Sequence, residues 1–201
     1  MKLSTAITAF GLVSTAWAQT AVDTIATVAA NLEETLPQYE TAVVASANAV
    51  EDAANSVALL AAEAQLVAGL TAIDTALTSA ETQIAAVTVG AAGGVTGAAT
   101  GLTQTDINTL TTATQNIVTA LQGISATVTP IYSLGGNAQA TAATELAVLA
   151  ATVQPFVAPL QAYLAAVLQS YAGGSVDVTG LGAAQTALQN AVTSVINTIG
   201  A

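Results

Sequence analysis

Apolar residues recur every three or four positions through each long segment of this 201-residue chain. The spacing places them on one face of an α-helix and is typical of helices that bury a single stripe. No segment shows the alternation of a half-buried β-strand. Because the long segments are joined by short connections, neighbouring helices are expected to be antiparallel. The sequence therefore predicts an all-α fold, a single antiparallel helical bundle of about five or six helices.

Residues with known helix-end preferences mark the expected boundaries. Thr20 with Asp23, and Thr103 with Asp106, have the spacing of capping boxes at helix N-termini. The glycine-rich segment 89–101 is predicted to be a loop, because several glycines weaken a helix. The expected apolar stripes lie at 22–36, 39–57, 66–87, 107–128, 146–171 and 188–199.

Four prolines and one glycine refine this division. Pro37 is predicted to end the helix that precedes it, because proline removes a backbone hydrogen bond. Pro130 and the turn Gly135-Gly136-Asn137 together are predicted to end the helix at 107–128. Pro155 and Pro159 are predicted to kink or split the helix at 146–171. Gly69 is expected at a bend between the second and third stripes.

The first 18 residues have the pattern of a secretory signal peptide. Lys2 precedes an apolar stretch at 3–13, and Ala-Trp-Ala at 16–18 matches an A-x-A cleavage site. We therefore expect a signal peptide over 1–18 and one helical bundle domain over 19–201. The predicted location is secreted, either extracellular or in a cell wall.

The apolar segment 146–168 is long enough to raise the question of a membrane span. Gln154, Gln161 and two prolines interrupt it, and no basic residue flanks it to anchor or orient a span. We therefore predict a buried or pocket-lining helix and no membrane span.

Charge is one-sided in this chain, which has twelve acidic residues and a single base, Lys2. Nine of the acids lie at or before Glu81, so the C-terminal half is almost uncharged. Removing the predicted signal peptide leaves no side-chain cation for phosphate or anionic lipid. Nucleic acid is therefore excluded as a partner.

The residues that usually catalyse reactions or bind metals are scarce. After the predicted signal peptide the chain has no His, Cys or Lys, so nucleophiles and general bases of the common kinds are missing. The adjacent acids Glu33-Glu34 and Glu51-Asp52 point about 100° apart on a helix and do not converge on a substrate. No calcium-loop or nucleotide motif is present. We predict a protein that is not an enzyme, with no metal and no cofactor.

The few aromatic residues leave two interpretations open. Each ring fills a gap in the core, with its hydroxyl hydrogen-bonded, or Phe156 and Tyr163 line a cavity for an apolar ligand between helices. Stripe positions give the candidates for such a lining, which are Leu70, Ile73, Ile117, Leu121, Val153, Phe156, Leu160 and Tyr163.

Three features together resemble the fungal hydrophobic surface-binding protein and cell wall galactomannoprotein family. They are the cysteine-free helical body behind a signal peptide, the opening helix at 22–36, and the helix start Leu-Thr-Gln-Thr-Asp at 102–106 continuing as Asn-Ile-Val-Thr-Ala-Leu at 116–121. The resemblance implies a secreted or wall-associated helical bundle that binds fatty acids or adsorbs to hydrophobic solids. Family members commonly carry some lysine, whereas the predicted mature chain has none.

Three hypotheses for function follow. The first is a carrier that encloses a fatty acid or another apolar ligand between helices. The second is a coat protein whose weakly charged C-terminal helices adsorb to hydrophobic surfaces. The third is a purely structural or antigenic wall component.

Overall fold

The computed structural model describes residues 3–88, 94–134 and 136–200, and these contain six helices and no strand. The all-α bundle predicted from the sequence is confirmed. The helices are α1 (Leu3–Glu51), α2 (Ser56–Thr88), α3 (Gly94–Ala98), α4 (Gln104–Leu134), α5 (Gly136–Ser170) and α6 (Thr179–Ile199).

The five long helices form a closed ring. α1 packs against α2 and α4, α6 packs against α4 and to a smaller extent α5, and α5 returns to α2. The short α3 contacts α1, α2 and α5. Long helices that follow one another in sequence alternate in direction, as the short connections predict. The ring also brings together helices that are distant in sequence, and those pairs are parallel.

The pairing of α2 with α5 shows this parallel arrangement directly. The hydroxyl of Thr141 donates a hydrogen bond to Glu63 over 3.3 Å, and that of Thr152 donates to Asp74 over 2.5 Å. Both contacts join residues 78 positions apart. Because the offset stays constant along the pair, α2 and α5 run in the same direction.

One cluster of buried apolar side chains fills the ring, and its largest members are Tyr163 and Phe156. Gly69 lies inside the continuous α2, so the predicted bend at this residue is not a helix boundary. A Cβ atom added at Gly69 would lie 2.7 Å from Cγ2 of Val43. This glycine therefore allows α1 and α2 to approach closely.

Two prolines predicted to end helices lie inside them. Pro37 is within α1, so the predicted end there was wrong. Pro130 is within α4, but α4 ends at Leu134, directly before the predicted glycine turn, so only the proline failed as a stop signal. An interior proline costs a helix about 3 kcal/mol. Beyond Pro37, α1 still buries Val43, Ala47 and Val50, and each large apolar side chain contributes about 1.5–3 kcal/mol. Burial on the far side of the proline therefore outweighs the lost hydrogen bond.

Pro155 and Pro159 likewise lie within one helix, because α5 is continuous from Gly136 to Ser170. These prolines therefore do not split the segment. The described part of the predicted 89–101 loop also differs from expectation, since 94–98 forms the helix α3. Residues 89–93 of that loop lie outside the described residues.

The two predicted capping boxes have opposite outcomes. Thr20 lies inside α1 and its hydroxyl donates to the carbonyl of Ala16 over 2.8 Å, so the cap with Asp23 was wrong. The second box is confirmed. The N–H of Thr103 donates to Asp106 over 2.7 Å, and the N–H of Asp106 donates to the Thr103 hydroxyl over 3.3 Å. The signal peptide stays a prediction, and α1 runs through its cleavage position.

A break that the periodicity did not reveal separates α1 from α2. The side-chain oxygen of Asn55 accepts hydrogen bonds from the N–H groups of Val57 and Ala58, at 3.1 and 3.0 Å. This is the geometry of an N-cap. The stripe predicted at 39–57 therefore ends with α1, and Val57 is 77% exposed.

Replacing Gly69 with Leu should lower the free energy of unfolding by about 1–3 kcal/mol, because the new side chain collides with Val43 at the α1–α2 contact. Ala68 is the matched control, since it is exposed on the same helix. Its replacement by Leu should change stability by no more than about 0.5 kcal/mol. Urea unfolding followed by circular dichroism measures both, and equal stabilities would contradict the close contact.

Candidate apolar binding surfaces

All eight residues predicted to line a ligand cavity lie in the core of the ring. None is more than 1% exposed, and all belong to the same apolar cluster. The structure therefore brings together Leu70, Ile73, Ile117, Leu121, Val153, Phe156, Leu160 and Tyr163. The surface clefts described below are lined by other residues.

Two tyrosines, Tyr163 of α5 and Tyr171 of the turn that follows it, form hydrogen bonds with the backbone of the segment around α3. The hydroxyl of Tyr163 donates to the carbonyl of Ala98 over 3.1 Å, and burial raises the pKa of Tyr163. The hydroxyl of Tyr171 donates to the carbonyl of Leu102 over 3.1 Å and accepts from the N–H of Leu102. These rings pack against the core and these hydroxyls have partners, as one of the two interpretations of the aromatic residues expects.

The outer side of α2 and α5 carries an apolar surface at the end where both helices begin. Three large aliphatic side chains on these helices, Val57, Leu60 and Val148, are 77%, 69% and 47% exposed. Exposed alanines and one threonine surround them in helical register. We call this surface the alanine face, and it consists of Val57, Leu60, Ala61, Ala64 and Ala68 of α2 with Ala140, Thr144, Val148 and Ala151 of α5.

Two acids lie within the spans of α2 and α5 that form the alanine face, Glu63 and Glu145, and both are half-buried. Glu145 is the only charged residue of α5, and α6 has none. In the seam between α2 and α5, Glu63 and Asp74 accept hydrogen bonds from threonine hydroxyls. These two carboxylates therefore take part in the contact between the helices.

The same two helices, α2 and α5, are long and apolar enough to cross a membrane by length and composition alone. In the most apolar 18-residue stretch of each helix, only 28% of α2 and 33% of α5 is buried inside the protein. In the core helix of a soluble protein, most of such an apolar stretch is buried. The ring thus leaves much of its most apolar sequence exposed, and the absence of a membrane span stays a prediction.

A cleft of about 500 Å³ lies where the C-terminal ends of α4 and α6 meet the first half of α5. The hydroxyl of Tyr132 donates to the carbonyl of Ile199 across this region. The other residues lining the cleft are Gln139, Ala143, Leu146, Ala147, Ala150 and Gly200. It is therefore mainly apolar, with the Gln139 amide as a neutral polar group.

A second groove, of about 600 Å³, follows the contact between α1 and α4. We call it the Glu40 groove. It is lined by Glu40, Thr41, Val44, Ala45, Asn48, Gly123, Ala126 and Thr127.

Gly123 makes room for the carboxylate in this groove. A Cβ atom at Gly123 would lie 2.5 Å from Oε1 of Glu40, so glycine leaves the space that the Glu40 carboxylate occupies here. Because the carboxyl group is half-buried, its lost contact with water raises the pKa of Glu40. No sequence motif marks this site, since it depends on the register of two helices that are distant in sequence.

Other acidic residues are dispersed. Across the described ranges, no three His, Cys, Asp or Glu side chains come together in a way that could hold a metal ion. Glu33 accepts a hydrogen bond from the amide of Asn116 over 2.7 Å, and Glu51 accepts from the N–H of Ala138 over 2.9 Å. These carboxylates connect helices.

The chain matches no protein-family model, no curated protein and no solved structure. The resemblance to the surface-binding family therefore stays a prediction. Function has to be inferred from the surfaces themselves.

Replacing Glu40 with Gln should raise the thermal midpoint at neutral pH. Burial holds the pKa of Glu40 above its ordinary value of 4.5, so the ionised carboxylate opposes folding once the pH exceeds the raised pKa. Well below pH 4.5 the group is protonated in both the folded and unfolded states, and the gain should vanish. We expect less than about 1 kcal/mol, because the group is only half-buried.

Glu34→Gln provides the matched control, because Glu34 is an exposed acid on the same helix. Thermal unfolding at about pH 7 and about pH 3 compares the two variants with the parent. The burial account fails if both variants shift the midpoint equally at neutral pH.

Proposed function

We propose that this protein binds hydrophobic surfaces through the alanine face of α2 and α5. The observation that carries the proposal is the exposure of Val57, Leu60 and Val148 among exposed small side chains on two adjacent parallel helices. Scattered apolar residues are normal on protein surfaces, whereas a contiguous group of them is typical of an interaction site.

The small side chains of the face favour a flat, extended contact. The alanine side chain is short and projects little from a helix, so α2 and α5 present a nearly flat surface here. Thr144 is the one hydroxyl-bearing member, and it is uncharged. Burying apolar surface contributes roughly 25 cal/mol per Å² removed from water. A flat apolar surface of this kind can therefore bind through the area that it buries, and it requires no deep pocket.

The distribution of charge supports the same proposal. α1 carries five acids and α2 carries Glu63, Asp74 and Glu81, whereas α5 and α6 together carry only Glu145. Net negative charge keeps apolar proteins apart in solution. The acids are therefore concentrated on α1 and α2 and are nearly absent from α5 and α6, which suits a secreted protein that stays soluble until it reaches a hydrophobic surface.

Introducing two acids into the alanine face should reduce adsorption severalfold. In the variant Val57→Glu with Leu60→Glu, each carboxylate must be desolvated for the face to make contact, and this cost opposes binding. Both positions are highly exposed, so the fold should persist. Adsorbed mass on an alkyl-coated sensor, with circular dichroism in solution, measures the effect.

The matched control adds the same charge elsewhere, as Gln115→Glu with Gln122→Glu on exposed positions of α4. This variant should adsorb like the parent. If both variants lose adsorption equally, net charge and not the alanine face governs binding.

A fatty acid or similar apolar ligand in the cleft between α4, α5 and α6 is the second candidate function. Its volume of about 500 Å³ lies within the range of small-molecule sites. With no base in the predicted mature chain, a fatty-acid carboxylate has only neutral donors to accept from, such as the Gln139 amide. Ion pairing therefore contributes nothing to this mode of binding.

Ala143→Trp should abolish ligand retention if this cleft is the binding site, because the indole ring fills it. Ala158→Trp is the control, since Ala158 is exposed on α5 and does not line the cleft. Native mass spectrometry of protein mixed with a fatty acid compares the retained ligand. Equal retention by the two variants would exclude the cleft.

A further inference from the structure

We propose that the Glu40 groove binds a cationic single-chain amphiphile, with the Glu40 carboxylate pairing with its ammonium group. The proposal concerns the α1–α4 side of the ring, whereas adsorption is assigned to α2 and α5. It therefore goes beyond the proposed function and can fail or succeed separately.

The polar groups of the groove are mainly hydrogen-bond acceptors. The Thr41 hydroxyl donates its proton to the carbonyl of Pro37 over 2.8 Å, and the Thr127 hydroxyl donates to the carbonyl of Gly123 over 2.9 Å. Each hydroxyl has one proton, so both retain only lone pairs for a ligand. An ammonium group offers donors alone and matches these acceptors, whereas a carboxylate offers acceptors alone and does not match them. The one amide donor that lines the groove, that of Asn48, lies eight residues along α1 from Glu40, at the end away from the proposed head group.

Charge favours the same class of ligand. The sequence after Lys2 contains no base, so no side-chain cation is available to neutralise Glu40. Neighbouring acids on α1 add to the negative potential, although Glu33 is engaged by Asn116. On α4 the only acid is Asp106, at the far N-terminal end of the helix. An amphiphilic cation is therefore attracted, and an amphiphilic anion is repelled.

The remaining lining is suited to an alkyl chain. Val44, Ala45 and Ala126 supply apolar surface beyond the carboxylate. From Glu40 to Asn48 the groove follows α1 for about 12 Å, at about 1.5 Å per residue. A ligand whose alkyl chain lies along the Glu40 groove would place its head group at Glu40 and its methylene groups over the small side chains.

Partial burial makes Glu40 the carboxylate best placed to distinguish ligands. Exposed acids on α1 interact with cations through water, where the attraction at contact is about 1 kcal/mol. Beside Gly123, Glu40 is shielded from part of the solvent, so a paired ammonium interacts more strongly. The selectivity should therefore depend on this residue and not on net charge.

Isothermal titration of the full chain with dodecylammonium, dodecanoate and dodecyl maltoside, all below their micelle concentrations, tests the proposal at neutral pH. Dodecylammonium should bind at one site with a Kd at least about tenfold lower than that of dodecanoate. A tenfold difference in Kd corresponds to a difference of about 1.4 kcal/mol in binding free energy. Glu40→Gln should remove this preference. Glu34→Gln, with the same change in net charge, should preserve it.

Ala126→Trp provides an independent variant that fills the groove without changing charge, and Ala126 is exposed, so the fold should tolerate it. It should abolish dodecylammonium binding. The proposal is overturned if dodecanoate binds as tightly as dodecylammonium, if Glu34→Gln weakens binding as much as Glu40→Gln, or if Ala126→Trp leaves binding intact. Circular dichroism confirms that each variant is folded.

Discussion

The lack of cationic side chains after Lys2 determines how carboxylates are stabilised in this fold. Glu33 accepts from an amide on α4, Glu51 from a backbone N–H at the start of α5, and Glu63 from a threonine hydroxyl. These carboxylates therefore have neutral donors as partners. These bonds are directional and short in reach, so they require the helices to sit in a fixed register. The ring and its grooves follow from that register.

Much of the fold could be predicted because helical periodicity and local capping are properties of neighbouring residues. The Thr103–Asp106 box is correct because both partners lie within one turn. The prediction at Pro37 was wrong because it considered only the local effect of proline on the helix. α1 continues past Pro37 because Val43 and Val50 are buried against other helices, and this burial depends on the whole bundle. The N-cap at Asn55 was missed because the apolar spacing continues across it.

The surfaces were harder to predict, for a different reason. A stripe position indicates that a residue faces other helices, but it does not distinguish a filled core from a cavity, and Phe156 and Tyr163 are both buried in the core. An alanine in a helix is equally compatible with a buried or an exposed position, so the sequence did not mark the alanine face. The approach of Glu40 to Gly123 depends on two helices separated by α2 and α3 in the chain.

The parallel pairing of α2 with α5 joins residues 78 positions apart, so α4 must be made and placed before the contact can form. An α1–α2 hairpin alone leaves open the side of α2 that α5 covers. A nascent chain therefore presents an uncovered apolar stripe while its second half is still being synthesised, the stage at which multi-helix chains are prone to associate wrongly. For the same reason the ring closes only when both halves of the chain are present, because α1 packs against α4 and α2 packs against α5.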